Sequence, residues 1–300
     1  MVHHFVLKIL FYVAARFPHF LHRHRLRLAG LIWGLSGHLR RVSVRNGKHI
    51  LGHGASETDL AEYGRGVIAE FLRFVADVAI ARGQRREAIL LRIGSIDGNE
   101  HFESARRLGR GLIIATCHFG NFEVGAAAIS DRMDETHVLF QGDAQGGFER
   151  MRATLHAQLG LVEAHVEQGL SAWMQLRDAL ARGAAVLVQA DRCMPGQDGT
   201  ATAFLNGSLR MPDGPAKLAR LSGAPILPVA CIVQEDETIR LILSRPIDPQ
   251  GEDASTFDQR VRSQLASFFG EIVRSSPAQW HTLHDVFVEN EYTSAIGNDR

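Results

Sequence analysis

The sequence predicts an α/β domain with a mostly parallel central sheet flanked by helices. Three observations carry that expectation. From residue 112 onward, short runs rich in Val, Ile, Leu and Ala alternate with longer amphipathic stretches. The short runs are apolar throughout rather than at every second residue, as strands covered on both faces are. Punctuation falls where such elements should end: Gly109, Gly183 and Gly223 stand just past helical stretches, and Pro277 follows the last one.

The N-terminal part reads differently. Residues 1–56 contain nine Lys or Arg, eight of the fifteen His, and no Asp or Glu. The remainder carries 24 bases against 33 acids, so a net charge of zero hides a basic end and an acidic body. Phe5–Phe17, broken by Lys8 and Arg16, and Leu26–Leu35, which contains Arg27, predict two short amphipathic helices. Neither reaches the ~18 uninterrupted apolar residues of a spanning helix, and no signal-peptide pattern is present. Bases interleaved with Phe, Leu, Ile and Trp suit an anionic membrane surface, at roughly 1 kcal/mol per base near the headgroups. A basic soluble surface fits the same composition. A nucleic-acid arm is disfavoured by the acidic body and the lack of a stacking motif. We therefore divide the chain into a basic amphipathic membrane-associating segment, 1–50, and a folded domain, 51–300.

Ser56-Glu57-Thr58-Asp59 resembles a capping box opening a long helix to about Arg82, with a stripe of Leu60, Val67, Ile68, Phe71, Leu72, Val75 and Val78. The spacing then predicts helix 99–108, strand 112–117, helix 122–131, strand 136–141, helix 148–159, helix 170–181, strand 185–189, helix 212–221, strands 225–233 and 238–243, and helix 256–274. Residues 192–210, rich in Gly, Thr, Asp and Asn, read as one long functional loop. Three cysteines without CxxC spacing exclude a disulfide framework and favour a reducing compartment.

The chemistry-bearing residues fall at strand ends, where open α/β sheets place their ligands. The strand 112–117 ends at His118-Phe119-Gly120-Asn121-Phe122-Glu123. A histidine at that place, with a glutamate five residues on, suits a general base and its orienting carboxylate. The helix beginning near Asn121 directs its dipole and first N–H groups, around Gly120 and Asn121, to the same space. A capping histidine with a first-turn glutamate gives the same short pattern. Asp191 and Arg192 end the strand 185–189; they suit positioning a polar acceptor or supporting His118, and equally an ion pair that holds the following loop. Cys117 precedes His118 and so faces the opposite side, as a small core residue. No nucleophile elbow, P-loop, dinucleotide fingerprint or metal-ligand spacing is present.

Taken in order, these pieces resemble the late (lauroyl/myristoyl) lipid A biosynthesis acyltransferases of the lysophospholipid acyltransferase superfamily, from about Arg40 to Phe287. His118–Glu123 is similar to the family's H-x-G-N-W/F-E block, and Met151–Leu155 to a second block carrying an arginine. Asp191 matches the aspartate ending the next strand. Phe204 and Gly207, then Gly214-Pro215, Leu218-Ala219 and Gly223–Pro228, follow the family order, and Pro277–Trp280 resembles its P-x-Q-W. The resemblance implies a glycerolphosphate-acyltransferase-like fold for the domain. It implies transfer of a fatty acyl group from an acyl carrier protein or CoA thioester to a hydroxyl of a lipid A precursor-like glycolipid. His118 would be the general base paired with Glu123, Gly120 and Asn121 would position the oxyanion, and Arg152, Asp191, Arg192 and Gly207 would bind substrate. No metal, cofactor or nucleic acid is expected; the thioester is a co-substrate. Aryl-polyene, mannoside or ornithine-type acceptors, or a non-catalytic lipid-binding role, remain alternatives. The implied place is the cytoplasmic face of a bacterial inner membrane, peripheral or weakly anchored. An acidic carrier protein would be drawn to Arg85, Arg86, Arg106, Arg107 and Arg110 if these cluster.

Overall fold

The computed structural model describes residues 2–140, 147–193, 197, 199–249 and 251–288, with side chains from residue 9 onward. Four helices open the chain: α1 (Val2–Arg16), α2 (Pro18–Leu35), α3 (Gly37–Leu51) and α4 (Glu57–Ala81). The starts of α2, α3 and α4 have local causes. Pro18 occupies the first turn of α2, where its missing N–H costs nothing. The Ser36 hydroxyl accepts from Leu39 N at the head of α3. Ser56 and Asp59 form the reciprocal capping box of α4. The sequence suggested two N-terminal helices; there are three, and the boundary expected at residue 50 falls inside α3. Ala14, Leu21, Ala29 and Leu39 join the same buried cluster as the α4 stripe, so these helices share the domain's core.

The remaining elements are α5 (Arg86–Leu90), β1 (Ile93–Asp97), α6 (Asn99–Arg106), β2 (Leu112–Thr116), α7 (Phe122–Ser130), β3 (Thr136–Phe140), α8 (Gly147–Leu159), β4 (Leu161–His165), α9 (Leu170–Ala181), β5 (Ala185–Gln189), β6 (Gly199–Phe204), β7 (Gly207–Pro212), α10 (Gly214–Ser222), β8 (Ile226–Val233), β9 (Ile239–Leu243) and α11 (Ala254–Ser275). Gln141, expected to end the strand 136–141, lies outside the described residues, as do 194–196 and 198 of the expected loop. The rest of that loop contains the antiparallel hairpin β6–β7. Pro212 closes β7 rather than opening a helix; α10 begins at Gly214 with Pro215 in its first turn.

Among the described residues, seven strands form one sheet in the order β1-β9-β8-β2-β5-β3-β4. All neighbours are parallel except β8 and β9. The sheet separates two cores, and the strand pleat sorts residues between them. Leu112 and Ile114 of β2 and Ala185 and Leu187 of β5 face the core made with α4, α7 and α8. Ile113, Ala115 and Cys117, with Val186 and Val188, face the core made with α9, α10, α11 and the hairpin. Covering on both faces is the reason the central strands carry no polar alternation. The carboxyl ends of β2 and β5 lie side by side, paired from Leu112↔Ala185 to Thr116↔Gln189.

Candidate active site

That register dictates the centre of the site. His118 and Asp191 each stand two residues beyond the last pair, Thr116↔Gln189, at the same offset. His118 Nδ1 lies 2.8 Å from Asp191 Oδ1. The Asp191 carboxylate is fully buried and its other oxygen accepts from Trp280 Nε1 at 2.9 Å and Arg192 Nη1 at 3.2 Å. Burial alone would raise its pKa, but His118, Arg192 and these hydrogen bonds hold it well below the usual carboxylate range. Asp191 is therefore an anion, and His118 Nδ1 carries the proton it accepts. His118 keeps about a fifth of its side-chain surface open. Its burial lowers its pKa, which Asp191 only partly offsets while the Arg192 and Arg152 charges push the same way. The ring is neutral near pH 7, with Nε2 carrying a lone pair and, among the described residues, no hydrogen-bond partner.

Glu123 takes a different partner from the one expected. It lies in the first turn of α7, whose N-cap Asn121 accepts from Val124 N. From there its carboxylate reaches α8 instead of His118. Oε1 accepts from Arg152 Nε at 2.5 Å and Oε2 is 2.7 Å from His156 Nε2. These cations outweigh burial and lower its pKa to about 2. Arg152 and His156 are one helical turn apart, hence on one face of α8. The Arg152 guanidinium also covers the Phe140 ring at 4.4 Å. Arg152 is close enough for its charge to act on His118, while Glu123 fixes the arginine.

Gly120 has φ +58°, and a Cβ there would meet Cys231 O at 1.8 Å. Only glycine fits this turn. Its N–H donates to Gln279 O at 3.0 Å, so this N–H is already engaged; its carbonyl accepts from His281 Nε2 at 2.9 Å. Asn121 donates from Nδ2 to Asp77 Oδ2 at 3.1 Å, tying the head of α7 to α4. Arg192 is buried and faces inward; Nη1 donates to Asp191 and Nη2 to His281 O, while Nε has no partner among the described residues. Gly207 lies at the hairpin turn, where a Cβ would strike His49 and Phe287, whose rings stack with centroids 4.5 Å apart. The thiol of Cys117 is buried and raised far above its ordinary pKa by desolvation, as a core residue's is.

Sequence reading matched Pro277–Trp280 to a family motif but gave this strap after α11 no place at the site. Residues 279–281 surround the His118 turn: Gln279 exchanges two hydrogen bonds with Val233, Trp280 donates to Asp191, and His281 N donates to His118 O. His156 was also missed, although its i, i+4 spacing from Arg152 was a usable signal. Of the five arginines considered for a carrier protein, Arg86, Arg106 and Arg110 face Asp131, Glu103 and Asp248.

The structure thus brings together a half-buried histidine, a buried aspartate at the adjacent strand end and the Glu123–Arg152 pair. The chain belongs to the bacterial lipid A biosynthesis acyltransferase family, whose model it matches over residues 5–288. Among curated proteins it is similar to the phosphatidylinositol mannoside acyltransferase of Mycolicibacterium smegmatis, 24% identical over 190 residues covering 63% of this chain and 60% of that protein. The enzyme of the same name from Mycobacterium tuberculosis is 26% identical over 190 residues, covering 63% and 58%. The chain thus spans about 60% of the length of these curated relatives.

Proposed function

We propose that this protein is an acyltransferase that moves a fatty acyl group from a CoA or acyl carrier protein thioester to a hydroxyl of a membrane phosphoglycolipid. The observation that carries the reading is the His118 Nδ1–Asp191 bond, which leaves Nε2 free and basic. His118 Nε2 takes the acceptor's hydroxyl proton as the oxygen attacks the thioester carbonyl. Asp191 holds the tautomer and balances the imidazolium, without taking the proton itself. Collapse of the tetrahedral intermediate breaks the C–S bond, and the imidazolium returns its proton to the departing thiolate. The positive end of α7 faces the developing oxyanion. Glu123 acts through Arg152, which binds the acceptor's phosphate; Arg192 and Gly207 keep the frame of the site.

The relatives favour a mannoside-bearing phosphoinositide acceptor over a lipid A precursor. Peripheral attachment is supported by the outer face of α2, where Phe20, Leu31 and Leu35 are exposed alongside Arg23 and Arg27. Among the described residues no helix is long and apolar enough to cross a membrane. The test is acyl transfer from both thioesters to phosphatidylinositol mannoside and to a lipid A precursor, with wild type, His118→Ala and Asp191→Asn. Undiminished transfer by His118→Ala would sink the mechanism. Binding of either lipid without transfer, from both donors, would favour the lipid-binding alternative.

A further inference from the structure

A second histidine beside the site has both ring nitrogens engaged. His156 is 1% exposed. Its Nε2 lies 2.7 Å from Glu123 Oε2 and its Nδ1 2.6 Å from Glu163 Oε1. A neutral imidazole has one N–H and can donate to only one of two ionised carboxylates; an imidazolium donates to both. The groups facing it are Glu123 from α7, Arg152 from its own helix α8, and Glu163 from β4. His165 stands 3.5 Å from the other Glu163 oxygen, and the Phe140 ring meets His156 edge-on. Two carboxylates, one guanidinium and one imidazolium leave this buried group of four neutral as a set.

We propose that His156 is a positioning residue for the transfer reaction. As an imidazolium wedged between Glu123 and Glu163, it holds the Glu123 carboxylate against Arg152 and so fixes the guanidinium beside His118. The proposal rests on the acyl-transfer reading of the site. Loss of the imidazolium leaves Glu123 with one partner and lets the arginine swing, weakening acceptor binding more than the proton transfer itself. Burial acts to lower the pKa of His156, but Glu123 and Glu163 outweigh it and move it above the ordinary histidine value. His118 moves the other way. Activity should therefore rise with pH as His118 loses its proton and fall again as His156 loses its own.

The experiment has two arms on the full chain. The first is NMR of protein labelled with 15N-histidine, the His156 signals assigned with His156→Gln. The expected result is two protonated ring nitrogens at neutral pH. A single N–H there, with Glu163 supplying the second proton, overturns the proposal. The second arm measures transfer from palmitoyl-CoA to phosphatidylinositol mannoside vesicles across pH. His156→Gln should abolish the alkaline limb and raise the acceptor KM about tenfold, with a smaller change in kcat. Glu163→Gln, at the more exposed partner, should move that limb to lower pH, and serves if His156→Gln fails to fold. An alkaline limb unchanged in either folded variant overturns the proposal. If wild type transfers nothing, the acyl-transfer reading fails, and the NMR arm still decides the charge of His156.

Discussion

Acid should destabilise this fold through His281. The residue is buried among Phe71, Phe74 and Phe122, and its Nε2 donates to Gly120 O. Its Nδ1 has no partner among the described residues. Burial pulls its pKa down to about 3; the Gly120 carbonyl opposes this, and the His118, Arg192 and Arg73 charges add smaller downward pushes. An unfolded histidine titrates near ~6.5. Below that pH the unfolded chain binds a proton that the native chain refuses, so stability falls as pH falls, until the native pKa is reached. At pH 5 the gap is roughly 1.5 pH units at about 1.4 kcal/mol each, a loss of about 2 kcal/mol from this residue alone. His281→Gln retains a donor for Gly120 O and has nothing to titrate. Urea unfolding at pH 7.5 and pH 5 should show wild type losing about 2 kcal/mol more than His281→Gln on acidification. Contributions from His118 and the carboxylates are common to both proteins and cancel. Equal losses would refute the assignment of a His281 that stays neutral at pH 5 beneath the His118 turn.

Three other perturbations test the site and its surroundings. Trp280→Phe keeps the ring and deletes one N–H to a buried anion; we expect about 1.5–3 kcal/mol less stability in urea and a lower kcat with little change in KM. Gly120→Ala places a methyl where Cys231 O stands, and should cost roughly 3 kcal/mol or more and abolish transfer, read by thermal unfolding and the transfer assay. Arg23→Gln with Arg27→Gln, on the exposed face of α2, should weaken binding to anionic vesicles by about 1 kcal/mol per charge while leaving the unfolding midpoint unchanged. Unaltered vesicle binding would count against that face as the membrane contact.

The central sheet was readable because strands buried on both sides leave a dense apolar signature, and because glycines mark the helix ends. The two edge strands were not. Ile93–Asp97 and Leu161–His165 are short and half-exposed, so their composition matches a loop. The hairpin was lost for the same reason: β6 exposes most of its Thr and Ala residues. In the site, His118 and Asp191 were both found, yet their pairing follows from β2–β5 register, which one sequence does not print. Glu123 was given to His118 because the two are close in the chain. Its real partners come from α8, which local spacing does not reveal. Trp280 stood in a matching motif, but only the folded strap shows that its N–H ends on Asp191.

The strap carries a consequence for how the protein becomes active during synthesis. The turn from His118 to Gly120 is tied by hydrogen bonds to Gln279 and His281, about 160 positions later in the chain. At ordinary translation speeds roughly ten to thirty seconds separate the emergence of the two. Until the later residues arrive, Asp191 lacks the Trp280 donor and Gly120 lacks its Gln279 and His281 partners. On the proposed acyl-transfer reading, a nascent chain would stay inert toward thioesters until the strap closes over that turn.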